Sequence, residues 1–599
     1  MHSLGKAIPE ISLVIESDRD HVFPSKNYLK EAEEARVKRR KLAAQRKEPE
    51  KSTDGSIGVA PLNYTSFSDA EIISLDSGDE SNTVPPHQTG LEPNVKSSTS
   101  TSNVHQKSPN LGSAICVDSN LLSSDLEVEK EPDLYRNFFP KSYGKGPRSQ
   151  IRLLCDLSEP GNDANNVDTV SLSDLIGLAN LLETYQFNFS VQLPLFLTFL
   201  HENFTKHDHK IHFITGDTVF DSPDMRDAVR SKFNISDARA PLPNRFASHH
   251  TKMMVNIFEN GDAEIVIMTS NLTLLDICGL TQAVWRSGKL KKGPTTTTSG
   301  KRFRFDLLRY LARYGLSVTK KLISVVEKYD FSSIDMELVA SAPGIHDVQG
   351  SPLNELYGYA KFRQVLERNG LLISDTRSRH NLLAQVTSIA YPYTSQKGNV
   401  SSVFSHILCP LMFENWRKDV SPGAQLFENH QKVFNYSPKL IFPTKSDVAR
   451  SNLGQVSGAA LHFKYENSTI HRAQYEQTIK KYLCKWATLG NVTGREKLTP
   501  HVKYYACDNG DDWQLLKWVM VGSHNLSKQA WGYPKPKTNG LKMDIASYEL
   551  SVLIPQGAQK LTPVYGADTL SDEKCTPVRF PFVVPPTPYE ADDMPWSMD

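Results

Sequence analysis

The sequence predicts a mixed α/β protein of two similar halves, related by a pseudo-twofold and sharing one cleft, behind a disordered N-terminal tail. Three observations carry that prediction. A motif of His-x-Lys, an Asn-Gly turn and an Asn-Leu return occurs twice, with its histidines 251 positions apart, His250 and His501. Strand-like and helix-like segments alternate through both halves. The first 134 residues are rich in Ser, Asn, Pro and acids, and all seven tryptophans lie at or after Trp285.

A chain of 599 residues has room for two or three domains. Its net charge of +1 is unevenly spread: +2 over residues 1–50, −9 over 51–134 and +8 over the rest. The tail, residues 1–134, cannot bury enough apolar surface to offset the entropy of ordering it. The remainder divides into a first half, 135–350, and a second half, 351–599, each holding one His-x-Lys motif. A moderately basic core suits a polyanionic partner without proving one.

Within the tail, Ala35–Lys47 (ARVKRRKLAAQRK) reads either as a nuclear-import run or as the solvated end of a charged helix. The import reading places the protein in the nucleus. Glu71–Glu80 (EIISLDSGDE) sets β-branched residues before acids, a pattern that adds a strand to a partner's sheet. It resembles a SUMO-interacting motif, with weaker copies at Ile11–Asp18 and Ile115–Ser119; ordinary acidic disorder is the alternative. Seven scattered cysteines without a CxxC pair point to a reducing compartment and away from a zinc site. With no signal peptide and no apolar run of about 18 residues, the expectation is a soluble protein with no membrane partner.

Along the core, Phe187–Leu197 reads as a buried strand running into a turn, and Ile211–Thr215 and Ile265–Ser270 as further strands. Leu307–Tyr314 and Val318–Tyr329 have helical apolar spacing. Lys289–Phe305 (KLKKGPTTTTSGKRFRF) is a basic loop, suited equally to a phosphate backbone and to solvent. A strand is expected near Lys439–Phe442 and a long helix over Ala473–Leu489.

Residues i and i+2 of a strand face the same way, so His250 with Lys252, and His501 with Lys503, form two pairs. Each strand then meets an Asn-Gly turn, Glu259–Asp262 and Asp508–Asp512, the favoured chemistry for a tight hairpin. The return brings Asn271 back 19 residues after Lys252, and Asn525 22 residues after Lys503. Two facing halves would gather two histidines, two lysines and two asparagines around one point. Such a donor-rich site fits a phosphoryl group: lysines supply charge and amides supply fixed donors. One histidine can attack phosphorus while the other protonates the leaving oxygen and later activates water. No carboxylate cluster suggests a metal, and no cofactor is expected.

These motifs resemble the phospholipase D superfamily and, within it, the 3′-acting tyrosyl-DNA phosphodiesterase family. The superfamily aspartate five residues beyond the lysine is replaced by Ile257 in the first motif and present as Asp508 in the second. HHTKMM (249–254), TSNL (269–272), LTQAVW (280–285), NLSKQAWG (525–532), SYELSVL (547–553) and MPW (594–596) support the narrower resemblance over residues 135–599. It implies two phospholipase D-like halves and a metal-independent DNA-repair hydrolase that frees a topoisomerase I-derived tyrosyl peptide, or another adduct, from a DNA 3′ end. The implied partners are single- and double-stranded DNA 3′ ends, and the implied state a monomer.

Carried over by position, the resemblance implies His250 as nucleophile and His501 as general acid then base. Lys252, Lys503, Asn271 and Asn525 would hold the phosphoryl oxygens, Gln282 and Glu549 would orient the histidines, and Trp596 would line the substrate cleft. Which support serves which histidine is left open. A lipid-cleaving phospholipase, favoured only by Asp508, and a non-catalytic DNA or SUMO-binding scaffold are the rival readings.

Overall fold

Two twisted sheets organise the described residues. A computed structural model describes residues 149–597, apart from 158–162, 349–354, 375–378, 393–394, 397–398, 401, 416–434, 488–489, 536–541, 569, 571 and 573. The tail, with its import-like run and its SUMO-motif-like segments, lies outside the described residues. The described residues fall in one structural unit, and no helix among them is long and apolar enough to cross a membrane.

The first sheet contains β1 (Ile151–Leu153), β2 (Leu181–Phe187), β3 (Lys210–Thr215), β4 (Asn234–Arg239), β5 (Met253–Phe258), β6 (Ala263–Met268) and β7 (Ala283–Arg286). Their spatial order is β1-β7-β6-β5-β2-β3-β4. Strand alternation splits its side chains between two cores. Met253, Val255 and Ile257 enter a large core shared with the second sheet. Met254 and Phe258 pack instead against the short helices Leu172–Ile176, Leu193–Thr198 and Leu274–Cys278. Each apolar side chain so buried contributes about 1.5–3 kcal/mol.

The second sheet begins with β8 (Glu337–Ser341); a separate three-stranded sheet begins with β9 (Gly344–Asp347). They are followed by β10 (His380–Gln385), a minor hairpin β11 (Ser395–Gln396) and β12 (Asn399–Val400), β13 (Tyr436–Ile441) and β14 (Leu483–Cys484). Then come β15 (Tyr504–Asp508), β16 (Leu516–Gly522), β17 (Tyr533–Lys535), β18 (Lys542–Ile545), β19 (Glu549–Pro555), β20 (Lys560–Val564) and β21 (Cys575–Arg579). The main order is β14-β13-β10-β15-β16-β19-β8, with β20 and β21 continuing from β16 and β17-β18-β9 forming the small sheet. Strand β8 precedes residue 351 yet pairs antiparallel with β19, so the second sheet recruits a strand from ahead of the expected division. Both sheets contribute to one core, where β16 approaches β6 and β7.

Both Asn-Gly turns form, with Gly261 and Gly510 each at φ 81°, a left-handed conformation that glycine adopts without penalty. Several local expectations change. The strand at Phe187 ends there, and Leu193–Thr198 is a helix with proline in its first turn. The long helix over Ala473–Leu489 does not form. An α-helix (Thr469–Gln474), a π turn (Tyr475–Ile479) and a 3-10 turn (Lys480–Tyr482) lead into β14, where Leu483 and Cys484 pair with Leu440 and Ile441. The two His-x-Lys segments lie just ahead of β5 and β15, drawn out of the sheets by pairing with the opposite half.

Candidate active site

That exchange builds the site. His249 bridges to Tyr548, with the His250 amide donating to the Tyr548 carbonyl (3.0 Å). In the other half Thr281 bridges to Pro500, and the His501 amide donates to the Thr281 carbonyl (2.9 Å). Each histidine is thereby latched to the segment that carries the other half's supporting residue.

His250 Nδ1 lies 2.8 Å from Glu549 Oε2, at the head of β19. The Phe189 ring meets His250 edge-on at 5.5 Å. His501 Nδ1 lies 2.9 Å from Asp276 Oδ1 and 3.2 Å from Gln282 Nε2. Gln282 Oε1 accepts from Thr269 Oγ1 (2.7 Å), which turns its amide nitrogen toward Asp276 Oδ1 (3.1 Å). The amide therefore steadies the carboxylate, and the His501 Nδ1–H donates to Asp276. Support is crossed: Glu549 of the second half serves His250 of the first, while Gln282 and Asp276 of the first serve His501 of the second.

The lysines are built alike. Lys252 Nζ donates to the His250 carbonyl and Lys503 Nζ to the His501 carbonyl, each at 2.7 Å. The asparagines differ. Asn525 Oδ1 is anchored by the Thr387 and Ser388 amides (3.1 Å each), which points its amide nitrogen away from that anchor. Asn271 Nδ2 instead donates to Asp276 (3.1 Å), so one of its two hydrogens is already committed.

Electrostatics join the motifs into one centre. Burial pushes the His250 imidazole well below its ordinary value, and Lys252, Lys503 and His501 push it further. Burial and Lys503 lower His501 to about 4, against the pull of the Asp276 carboxylate, which is itself held low by His501. Lys503 is likewise lowered by burial and by Lys252. Burial raises Glu549 to about 7. An anion entering among these groups would raise both imidazoles. Of the two, His501 has the firmly ionised partner and is the one prepared to carry a second proton.

Asp276 was missed by the sequence reading. Its signal was there, since Thr273-x-x-Asp276 is a helix-start pattern, but that pattern reads as a cap, and Thr273 indeed caps Leu274–Cys278. Phe189 gave no signal of its own. Trp596 is half-buried against Gly458, donating Nε1–H to its carbonyl (3.0 Å). Ser457 beside it meets Thr499 Oγ1 at 2.6 Å, two residues before His501. His249 turns away from the site, its nitrogens 2.9 Å from the Asn188 carbonyl and the Tyr314 hydroxyl.

Asp508 sits at the far end of β15, about 17 Å beyond Lys503 at about 3.4 Å per residue. Its oxygens accept from the Asn381 amide (2.8 Å) and side chain (2.7 Å), tying β15 to β10. His380, Cys507 and Asp508 offer ligand atoms within 4.8 Å of one another, but three donors fall short of a closed four-ligand metal site. The expected basic loop Lys289–Phe305 ends at Thr297, which caps a helix over Thr298–Ala312; ahead of that cap Lys289 and Lys291 are paired to Glu264 (3.4 Å) and Asp262 (2.6 Å) on the first hairpin.

A model of the family described as tyrosyl-DNA phosphodiesterase matches residues 153–590. Tyrosyl-DNA phosphodiesterase 1 of Drosophila melanogaster is 29% identical over 445 residues, covering 72% of this chain and 70% of that protein. A probable tyrosyl-DNA phosphodiesterase of Schizosaccharomyces pombe is 27% identical, covering 73% and 90%. A crystal structure of a mutant yeast tyrosyl-DNA phosphodiesterase superposes with a TM-score of 0.61 at 22% identity, over 75% of this chain and 99% of that one, a likeness of fold. With the model spanning most of its length and both halves of the site inside the match, the chain belongs to the tyrosyl-DNA phosphodiesterase family.

Proposed function

We propose that this chain is a metal-independent DNA-repair phosphodiesterase. It hydrolyses the bond between a DNA 3′-phosphate and a tyrosine, or another 3′ adduct. The carrying observation is the crossed pair of histidines, each held at Nδ1 by a carboxylate from the opposite half, with both lysines acting on the same centre.

With Nδ1–H given to Glu549, His250 keeps its Nε2 lone pair for phosphorus. Attack forms the N–P bond and breaks the P–O bond to tyrosine, whose phenolate takes a proton from His501. Tyrosine, with an ordinary pKa of about 10, leaves more readily than an alkoxide. His501, then neutral, accepts a proton from water as water attacks the phosphohistidine, freeing a 3′-phosphate and His250. Lys252, Lys503 and the amides of Asn525 and Asn271 stabilise the phosphoryl oxygens as charge builds on them. Trp596 lines the substrate cleft. The substrates are single- and double-stranded DNA 3′ ends bearing topoisomerase I-derived peptides. The protein works as a monomer in the nucleus, and its tail contacts SUMO or SUMO-bearing proteins. Asp508, the one residue that favoured a lipid substrate, is committed to Asn381.

The test is an end-labelled single-stranded oligonucleotide with a 3′-phosphotyrosine, incubated in EDTA with wild type, His250→Ala and His501→Ala. Conversion to a 3′-phosphate by wild type alone supports the proposal; absence of conversion removes it.

A further inference from the structure

A third histidine lies behind the nucleophile. His524 is wholly buried, between the end of β16 and Asn525. Its Nδ1 is 2.8 Å from Ser551 Oγ and its Nε2 3.0 Å from Ser341 Oγ. These serines bracket Glu549. Ser341 is its cross-strand partner on β8, and Ser551 lies two residues along β19 on the same face.

The ring also packs against Trp531, tilted by 36° with centroids 4.5 Å apart, and Trp531 Nε1–H donates to the Asn525 carbonyl (3.0 Å). Tyr505 holds the His524 carbonyl (3.1 Å). The charged and titratable groups around it are Glu549 on β19 and His250 ahead of β5. Lys252 and Lys503 act in turn on Glu549. A satisfied core histidine would need only the two hydroxyls. This one ties together the strand that carries Glu549, the strand paired with it and the residue next to Asn525.

We propose that His524 is a positioning residue for the nucleophile: by bridging Ser341 and Ser551 it fixes the backbone from which Glu549 reaches His250. The inference rests on the catalytic reading above. Burial lowers the His524 imidazole to about 4, so it does this as a neutral ring whose hydroxyl partners suit either tautomer. It touches neither substrate nor reacting atoms.

The test is a double-mutant cycle with Glu549→Gln, read as single-turnover cleavage of the 3′-phosphotyrosyl oligonucleotide. His524→Gln should slow wild type by at least about tenfold with KM changed less than about twofold, because the loss falls on the placement of Glu549 and the nucleophile and not on substrate binding. In the Glu549→Gln background the same change should cost less than about twofold, because the carboxylate it positions is gone. Equal losses in both backgrounds overturn the proposal, since a merely structural role does not depend on residue 549. His524→Asn is made alongside, and urea unfolding checks that both variants fold. Failure of wild type to cleave would instead strike the catalytic reading, and this inference would fall with it.

Discussion

Replacing Glu549 by glutamine should make the protein more stable and less active, with a gain that depends on pH. The carboxyl is buried, 4% exposed, and burial carries it from an ordinary 4.5 to about 7. A raised carboxyl means that the folded chain binds the proton more tightly than the unfolded chain does. Its contribution to stability is full below 4.5 and is lost as pH rises through about 7. At about 1.4 kcal/mol for each tenfold in proton affinity, holding the ionised form at pH 8 costs the fold about 3 kcal/mol. At pH 5 the folded carboxyl is already protonated and most of that cost is absent. Urea unfolding at both pH values should therefore show Glu549→Gln gaining about 2–3 kcal/mol on wild type between pH 5 and pH 8. Titrating groups that do not interact with residue 549 are common to the two proteins and cancel. Turnover at pH 8 should fall by about 10²–10⁴, the range for a lost acid–base support, because an amide does not enforce the Nδ1–H tautomer. A stability difference that stays flat from pH 5 to pH 8 would refute this reasoning, as would undiminished turnover.

Wild-type kcat/KM should fall as pH drops below about 7, where protonated Glu549 donates to His250 Nδ1 and moves the ring proton to Nε2; a limb that is unchanged in Glu549→Gln would contradict this. Asp276→Asn should slow release of tyrosine by about 10²-fold or more but release of a nitrophenol far less, because only the poorer leaving group needs the His501 proton; parallel rate measurements decide it. A Cβ at Gly458 would lie 2.3 Å from the Trp596 ring, so Gly458→Val should displace that ring, visible as a shifted tryptophan emission and a raised KM. Gly510→Val forces φ 81° on a β-branched residue and should cost at least about 1–2 kcal/mol of stability in urea unfolding.

Much of the site was legible because its signals are local. The His-x-Lys pairs, the Asn-Gly turns and the Asn-Leu returns each belong to one hairpin or the residues that flank it, and hairpin geometry is set over a few residues. The crossing of supports was not legible. It depends on the His249–Tyr548 and Thr281–Pro500 bridges, pairings between segments some 200–300 residues apart, for example 299 from His250 to Glu549. Asp276 hid behind its own cap pattern, and His524 and Phe189 look like ordinary core residues until the fold sets them beside Glu549 and His250. The failed helix at Ala473–Leu489 has the same origin: apolar spacing suited a helix, but parallel pairing with β13 claimed Leu483 and Cys484. Asp508, at a superfamily position that the motif alone left open, serves a neighbouring strand and its own turn.

The most direct measurement is to trap the covalent intermediate. His501→Asn, mixed with a 3′-phosphotyrosyl oligonucleotide and quenched under alkaline conditions, should carry the oligonucleotide on His250, located by peptide mass spectrometry. An adduct on any residue other than His250, or rapid turnover with no adduct on His250, would contradict a single site in which one half attacks and the other half delivers the proton.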